Sequence, residues 1–346
     1  MNNLTLESLP NKFLPFLLGH ASCSAPKNCK SEIDEIFTQS LKNAPTLKSD
    51  YIYNAGNWVL KGDRTGEDAE AAQLRSDTNI YRVRKANKIR NFIRANHLEQ
   101  HVMVPQKFIY WDKTSQKFFV VAEKVDLSDE VASPQSDQVK EIIKQDAFLG
   151  GQALALVEGK SERDITPEQA KALAELSFLG LTDLSYNNMY FTNDGRIAII
   201  DTEPLKRTIK KAMSDSWIPW FTDRDTWVMA QAIAGTAKLK MACADPEAIK
   251  AVEKVEKDHF LWNMAKLIGK IALAVLVFCL VPPLLAQLAI AGAVITALQI
   301  AILGYATLKA LGLLLSTLHI SSLWSYSHDG IAGLVNIRDL ELQGAC

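Results

Sequence analysis

The sequence predicts an α+β fold: a strand-rich first half, a helix-rich second half, and an apolar helical hairpin behind both. Three observations predict it. Short runs of apolar alternation crowd residues 51–126 and then give way to stretches with helical spacing. Asn193-Asp194-Gly195, a strong turn signal, separates two further short apolar runs inside the helical half. From Ile271 to Leu308 there is no charged residue at all. On this reading the chain divides into a polar N-terminal segment (1–45), a soluble domain (46–265), a hydrophobic hairpin (266–323) and a tail (324–346).

The elements follow in order. A helix is expected over Ser31–Lys42. YIYN and WVLK flank Ala55-Gly56-Asn57 and read as a hairpin. GDRTGEDAEAAQLRSDT reads as a charged loop or short helix. In IYRVRKA, Ile80, Arg82 and Arg84 alternate with Tyr81, Val83 and Lys85, which predicts a strand. NKIRNFIRANHLE carries Ile89, Phe92 and Ile93 at helical spacing. HVMVPQKFIYW and KFFVVAEKVDL are two more strands, joined by Asp112–Gln116. Helices follow over SDQVKEIIKQDAFLGGQALALV and TPEQAKALAELSFLG, the second with Thr166 and Glu168 suited to its first turn. Two strands then flank the Asn193-Asp194-Gly195 turn, and the chain is helical from there to about Lys266.

Composition narrows the function. Lys and Arg number 38 against 39 Asp and Glu, for a net charge of -1. That balance supplies no basic field, so nucleic acid is not an expected partner. The five cysteines, Cys23, Cys29, Cys243, Cys279 and Cys346, form no CxxC pair and no metal-spaced cluster, as free thiols in a reducing compartment would. The N-terminal stretch is not a secretory signal pattern: its first basic residue is Lys12, and Phe13–Leu18 is short and broken by Pro15.

The apolar zone is expected to be a membrane anchor. It runs from about Leu267 to Leu323, and one span needs about 20 apolar residues, so there is room for two. The turn falls near Ala291-Gly292 or at Pro282-Pro283; the second site could instead be a kink. Lys254, Lys257, Lys266, Lys270 and Lys309 flank the zone and put both ends, with the soluble domain, in a cytosol. No acid or base stands between Ile271 and Leu308, which argues against a transporter or proton path.

The chemistry gathers in GLTDLSYNNMYFTNDGRIAIIDTEP, residues 180–204. Asp183 starts a loop after a helix, Asn188 ends that loop, and Asp201 closes the strand after the turn. A hairpin brings its two ends together, so Asn188 and Asp201 should be neighbours. Two oxygen ligands there suit Mg²⁺, which also keeps waters and phosphate oxygens. Asp183 beside them could orient an attacking hydroxyl. Taken alone, three such residues are equally the ordinary caps of turns and helix ends.

With its surroundings, this stretch resembles the catalytic loop, following hairpin and metal-binding turn of the protein-kinase fold. The resemblance covers about residues 50–260 and implies a two-lobed domain, with a sheet-and-helix lobe before a mostly helical one and ATP bound between them. It implies that Asp183 is the catalytic aspartate and that Asn188 and Asp201 hold Mg²⁺. By the same resemblance YRVRKA is the valine-x-lysine strand and Lys85 the lysine that contacts phosphate. Gly56 would stand in the phosphate-covering hairpin, and Ala122, Glu123 and Val125 along the segment that contacts adenine. Asp225, with Trp227 beside it, would support the catalytic loop.

The chain departs from the kinase pattern in several places. Leu181 and Thr182 precede Asp183 where His and Arg are usual, and Thr202 and Glu203 replace Phe and Gly. There is no GxGxxG, and the helix after Lys85 has no obvious glutamate partner, leaving Glu67, Asp68 or Glu70 as substitutes. Three functions therefore stay open. One is a membrane-anchored kinase acting on a protein hydroxyl. Another is a pseudokinase used as a membrane-tethered docking platform for a protein partner. The last is a small-molecule phosphotransferase of the aminoglycoside or choline kinase type. The apolar layout also resembles that of the inclusion-membrane proteins of chlamydia-like intracellular bacteria, which implies an exported effector in a host-derived membrane, facing the host cytosol.

Overall fold

A computed structural model describes residues 52–55, 57–61, 69–112, 117–137, 139–141, 161–181, 184, 188–202, 224–287 and positions 297, 300 and 304. It is mixed helix and strand and divides into two compact units. The first comprises residues 1–132, 153–163 and 186–204; the second comprises 133–152, 164–185 and 205–346.

In the first unit β1 (Ile52–Ala55) and β2 (Trp58–Lys61) form the expected hairpin. β2 pairs with β5 (Lys117–Glu123) and β5 with β4 (Lys107–Asp112), all antiparallel, giving the order β1-β2-β5-β4. HVMVPQKFIYW is two strands rather than one. β3 (Val102–Met103) stops before Pro105, which has no N–H for a ladder, and β4 starts at Lys107. β3 then runs parallel to β9 (Ile197–Ile199), which pairs antiparallel with β8 (Met189–Phe191). A parallel pair of β6 (Glu130–Ala132) and β7 (Ser161–Arg163) completes the unit's strands among the described residues.

The segment Ile80–Ala86, expected as a strand, is helical. It lies inside α1 (Ala69–Ala95), which packs against β5 and β4. A few residues of alternation fit either element; the longer pattern decides. Val83, Ala86, Ile89 and Ile93 are all buried and repeat at three and four residues, the stripe of a helix face. The Ala-, Glu- and Gln-rich stretch before them carries the helix back to Ala69. His97, at φ 55°, turns the chain out of α1, and the Leu98 N–H donates to the Ile93 carbonyl. Val120, Val121 and Phe108 are buried, with the Trp58 ring edge-on to Phe108 at 5.7 Å.

The second unit holds α2 (Pro167–Phe178), α3 (Arg224–Met241) and α4 (Pro246–Gln287). Thr166 caps α2 reciprocally with Gln169: each residue's side-chain oxygen accepts the other's backbone N–H. Leu173, Leu176, Ile233, Leu239, Val252 and Val255 fill the core. Glu256 is buried among them and accepts from Thr236 and from Lys240, the latter at 3.2 Å. His259 pairs with Glu175 at 2.9 Å and stacks on Phe178 at 4.1 Å.

α4 continues through Pro282-Pro283 to Gln287, so that pair is not the hairpin turn; Ala291-Gly292 lies outside the described residues. Among the described residues no helix is long and apolar enough to cross a membrane.

Candidate functional site

The site is built on the β8–β9 hairpin. Its turn closes at Thr192–Arg196, with Gly195 at φ +87°, a backbone conformation that glycine adopts without strain. Asp194 receives the Arg196 guanidinium and the Thr192 hydroxyl, which hold its carboxyl well below the usual carboxylate range. Arg163 braces the turn from outside: its guanidinium lies 5.1 Å from the Phe191 ring centroid and bonds Glu130 at 2.9 Å.

At the other end the Ile200 N–H donates to the Asn188 carbonyl at 3.1 Å. Asn188 and Asp201 therefore leave the same end of one ladder, as the hairpin argument requires. Asn188 is 9 % exposed; the Asp201 side chain is 27 % exposed.

Three cations from three elements converge on Asp201. Lys61, the last residue of β2, places its Nζ 3.4 Å from Oδ2. Arg82 on α1 places its Nε 3.5 Å from Oδ1. Lys107, the first residue of β4, is 4 % exposed and acts on Asp201 from deeper in the unit. Its ammonium donates to the Ile200 carbonyl at 2.7 Å and to the Thr202 hydroxyl at 2.9 Å; that hydroxyl donates in turn to the Arg82 carbonyl at 3.0 Å. Burial alone would raise the Asp201 carboxyl, but Lys61, Arg82 and Lys107 outweigh it and hold the group at about 2. Burial pushes the Lys107 ammonium down to about 8, against the pull of Asp201 and with the help of Lys61 and Arg82.

Of the residues singled out from sequence, Asn188 and Asp201 come together. Lys85 lies in α1, half-buried, not on a strand; among the described residues Lys61, Arg82 and Lys107 act on Asp201. Ala122 is half-buried on β5, opposite Val59 of β2 on one side and Lys107 of β4 on the other. Glu123 is exposed and accepts from the Gln106 N–H at 3.2 Å, and Val125 is half-buried just beyond β5. The Lys124 N–H donates to the Asn57 carbonyl, so the end of β5 meets the turn of the first hairpin. Gly56 and Asp183 lie outside the described residues, as do the side chains of Asp225 and Trp227.

Lys61, Arg82 and Lys107 escaped the sequence reading. Lys61 did carry a signal: it closes the strand WVLK, eight positions before the start of α1.

Chemically, the described donors at the hairpin end are one carboxylate and one amide. Mg²⁺ accepts such a set only when phosphate oxygens and water complete its shell. Among the described residues no three His, Cys, Asp or Glu side chains gather as a metal cluster. Asn188 and Asp201 could hold a metal only together with oxygens from outside the described residues. The chain matches no family model, no curated protein and no solved structure.

Proposed function

We propose that residues 46–265 form a divergent protein-kinase-like domain that binds the phosphates of ATP beside Asp201, on a chain tethered to a membrane by residues 266–323. The observation that carries the reading is the approach of Lys61 to Asp201 across 140 positions of sequence. A strand lysine beside the aspartate that closes a hairpin is the pair a phosphotransferase needs, one for phosphate and one for metal. Lys61 takes the phosphate-contacting role first assigned to Lys85. Asn188 and Asp201 would hold Mg²⁺, and Asp183 would orient the hydroxyl of a protein substrate, a role that rests on the sequence pattern. The tether rests on the uncharged run from Ile271 to Leu308 and puts the domain on the cytosolic side.

One observation favours the second reading, a nucleotide-binding pseudokinase that docks a partner. Both oxygens of Asp201 already face a cation, Lys61 on Oδ2 and Arg82 on Oδ1. A metal would have to share or displace them, whereas the phosphates of a nucleotide could be met by the cations themselves.

Calorimetry on the full chain in detergent, with ATP in the presence and absence of Mg²⁺, tests both readings against Lys61→Met and Asp201→Asn. The transferase reading expects binding that needs Mg²⁺ and falls in both variants. The docking reading expects binding without metal that falls in Lys61→Met but survives Asp201→Asn. No binding by the folded wild type at millimolar ATP would refute both.

A further inference from the structure

Helix α4 changes character along one stripe within a single turn. Lys250, Lys254 and Lys257 are exposed there, spaced four and three residues apart. The stripe continues, again at helical spacing, through Leu261 and Ile268. From Leu261 onward the exposed large side chains described are apolar except for Lys266: Leu261, Trp262, Ile268, Leu273 and Leu276 are 53–63 % exposed. Side chains of this size are usually buried, and a contiguous exposed patch of them marks a surface that something covers. Before the boundary the opposite side of the helix is fixed: Val252, Val255 and Glu256 are buried in the second unit.

Three features say what covers the patch. Trp262 carries the Lys266 ammonium at 5.2 Å from its ring centroid, an aromatic and a lysine placed together where polarity changes. Such pairs suit the headgroup level of a bilayer, with the ring at the interface and the ammonium reaching back to water. A Cβ built on Gly269 would meet no atom within 4 Å, so the face is open there. The helix then leads, without a break in its backbone, into the uncharged run from Ile271 to Leu308.

We propose that α4 carries the chain into a lipid bilayer as one unbroken helix, with the headgroup layer crossing it between Leu261 and Lys266. This rests on the membrane-tether reading above and adds the place and manner of insertion. Glu256 in the helical core and Trp262 at the boundary are six residues apart, about 9 Å along a helix. There is no linker between them, so the α2–α3–α4 unit is seated against the headgroups and cannot swing freely from its anchor.

The test uses the full chain with its native cysteines replaced, reconstituted into phosphatidylcholine–phosphatidylglycerol vesicles. An environment-sensitive fluorophore is attached in turn to Lys254→Cys, Asp258→Cys, Ala265→Cys, Ile268→Cys, Ala272→Cys and Leu276→Cys. Labels at 254 and 258 should be quenched by aqueous iodide. The label at 265 should respond to headgroup-level nitroxide lipids. Labels at 268, 272 and 276 should lose iodide quenching and gain quenching from progressively deeper nitroxides. Two outcomes in a chain that floats with the vesicles would overturn the proposal and leave the tether standing. One is iodide quenching at 268–276 as strong as at 254. The other is shielding there from both quenchers, which would mean that protein, a second copy or another part of this chain, covers the face. A chain that does not float with vesicles would sink the tether reading and this proposal together.

Discussion

Replacing Asp201 by asparagine keeps the side chain's shape and removes its charge from among Lys61, Arg82 and Lys107. In the folded protein the carboxyl sits at about 2 instead of 3.8, and each unit of difference is worth 1.36 kcal/mol. Its ionised form therefore contributes stability above its ordinary range, and that contribution disappears as the pH falls toward 2. With 27 % of the side chain open to solvent, a discounted figure is roughly 1–2 kcal/mol at neutral pH. The loss should be local, because the carboxylate ties the end of β9 to β2 and α1. Amide hydrogen exchange, read by mass spectrometry on peptides spanning 197–202, reports local opening directly. Exchange there should quicken roughly 5- to 30-fold in Asp201→Asn, the equivalent of that free energy. Peptides from α2 should be unchanged. Wild type should also lose protection between pH 4 and 2 where the variant shows no extra loss. A change under about twofold at 197–202, with the same acid profile in both proteins, would mean that the cations do not hold Asp201 and that the site's geometry is wrong.

Lys107 should act in the opposite pH range. Its folded value of about 8 lies below the ordinary 10.5, so the unfolded chain binds the extra proton between them and stability rises with pH across that window. The wild-type gain should be about 3 kcal/mol and should be absent from Lys107→Met, measured as protection of the same 197–202 peptides from pH 7 to 10.5. Gly195→Ala puts a Cβ 3.0 Å from the Arg163 guanidinium at φ +87° and should destabilise the hairpin by about 1–2 kcal/mol, seen as faster exchange at 189–199. Glu256→Gln removes the carboxylate that the buried Lys240 donates to and should cost the helical unit about 3–5 kcal/mol in urea unfolding.

The β8–β9 hairpin and its paired Asn188 and Asp201 are legible in the sequence because the local signals agree. Asn193-Asp194-Gly195 favours a tight turn, and the runs beside it are apolar and short. Helix α2 is legible for the same reason, since Thr166 and Pro167 mark its start and Gln169 completes the capping box. The cations around Asp201 are not legible. Arg82 and Arg84 look like the wet side of a strand, and the stripe that overrules this reading runs eleven residues, from Val83 to Ile93. Lys61 and Lys107 stand at strand ends, where lysine is usually solvated. Their partner lies about 90–140 positions further along the chain, and no local pattern encodes a meeting at that separation.

The buried part of the cluster bears on which reading survives. Lys107 makes its two hydrogen bonds to groups on either side of Asp201, the Ile200 carbonyl and the Thr202 hydroxyl, and Thr202 passes the connection to the Arg82 carbonyl. The turn after β9 is thus gripped from β4 and α1 together. Apolar side chains of the same volume would fill this space at lower cost, because removing an ammonium from water is expensive even when it is well bonded. What the lysine adds is a fixed position for the Asp201 backbone, and a fixed carboxylate is worth that cost where a ligand must meet it in one geometry. The gripped turn leaves Lys61 as the most exposed of the three cations, at 23 % of its side chain against 6 % for Arg82, and so the one best able to turn from Asp201 to an arriving phosphate. If Lys61 leaves, Asp201 keeps Arg82 but frees Oδ2, the oxygen a nucleotide-borne Mg²⁺ would take. On that sequence of exchanges, metal and nucleotide should bind cooperatively in wild type, and Lys61→Met should abolish the cooperativity. Equal nucleotide affinity with and without Mg²⁺ would instead leave Asp201 as a counter-charge and the domain as a docking platform.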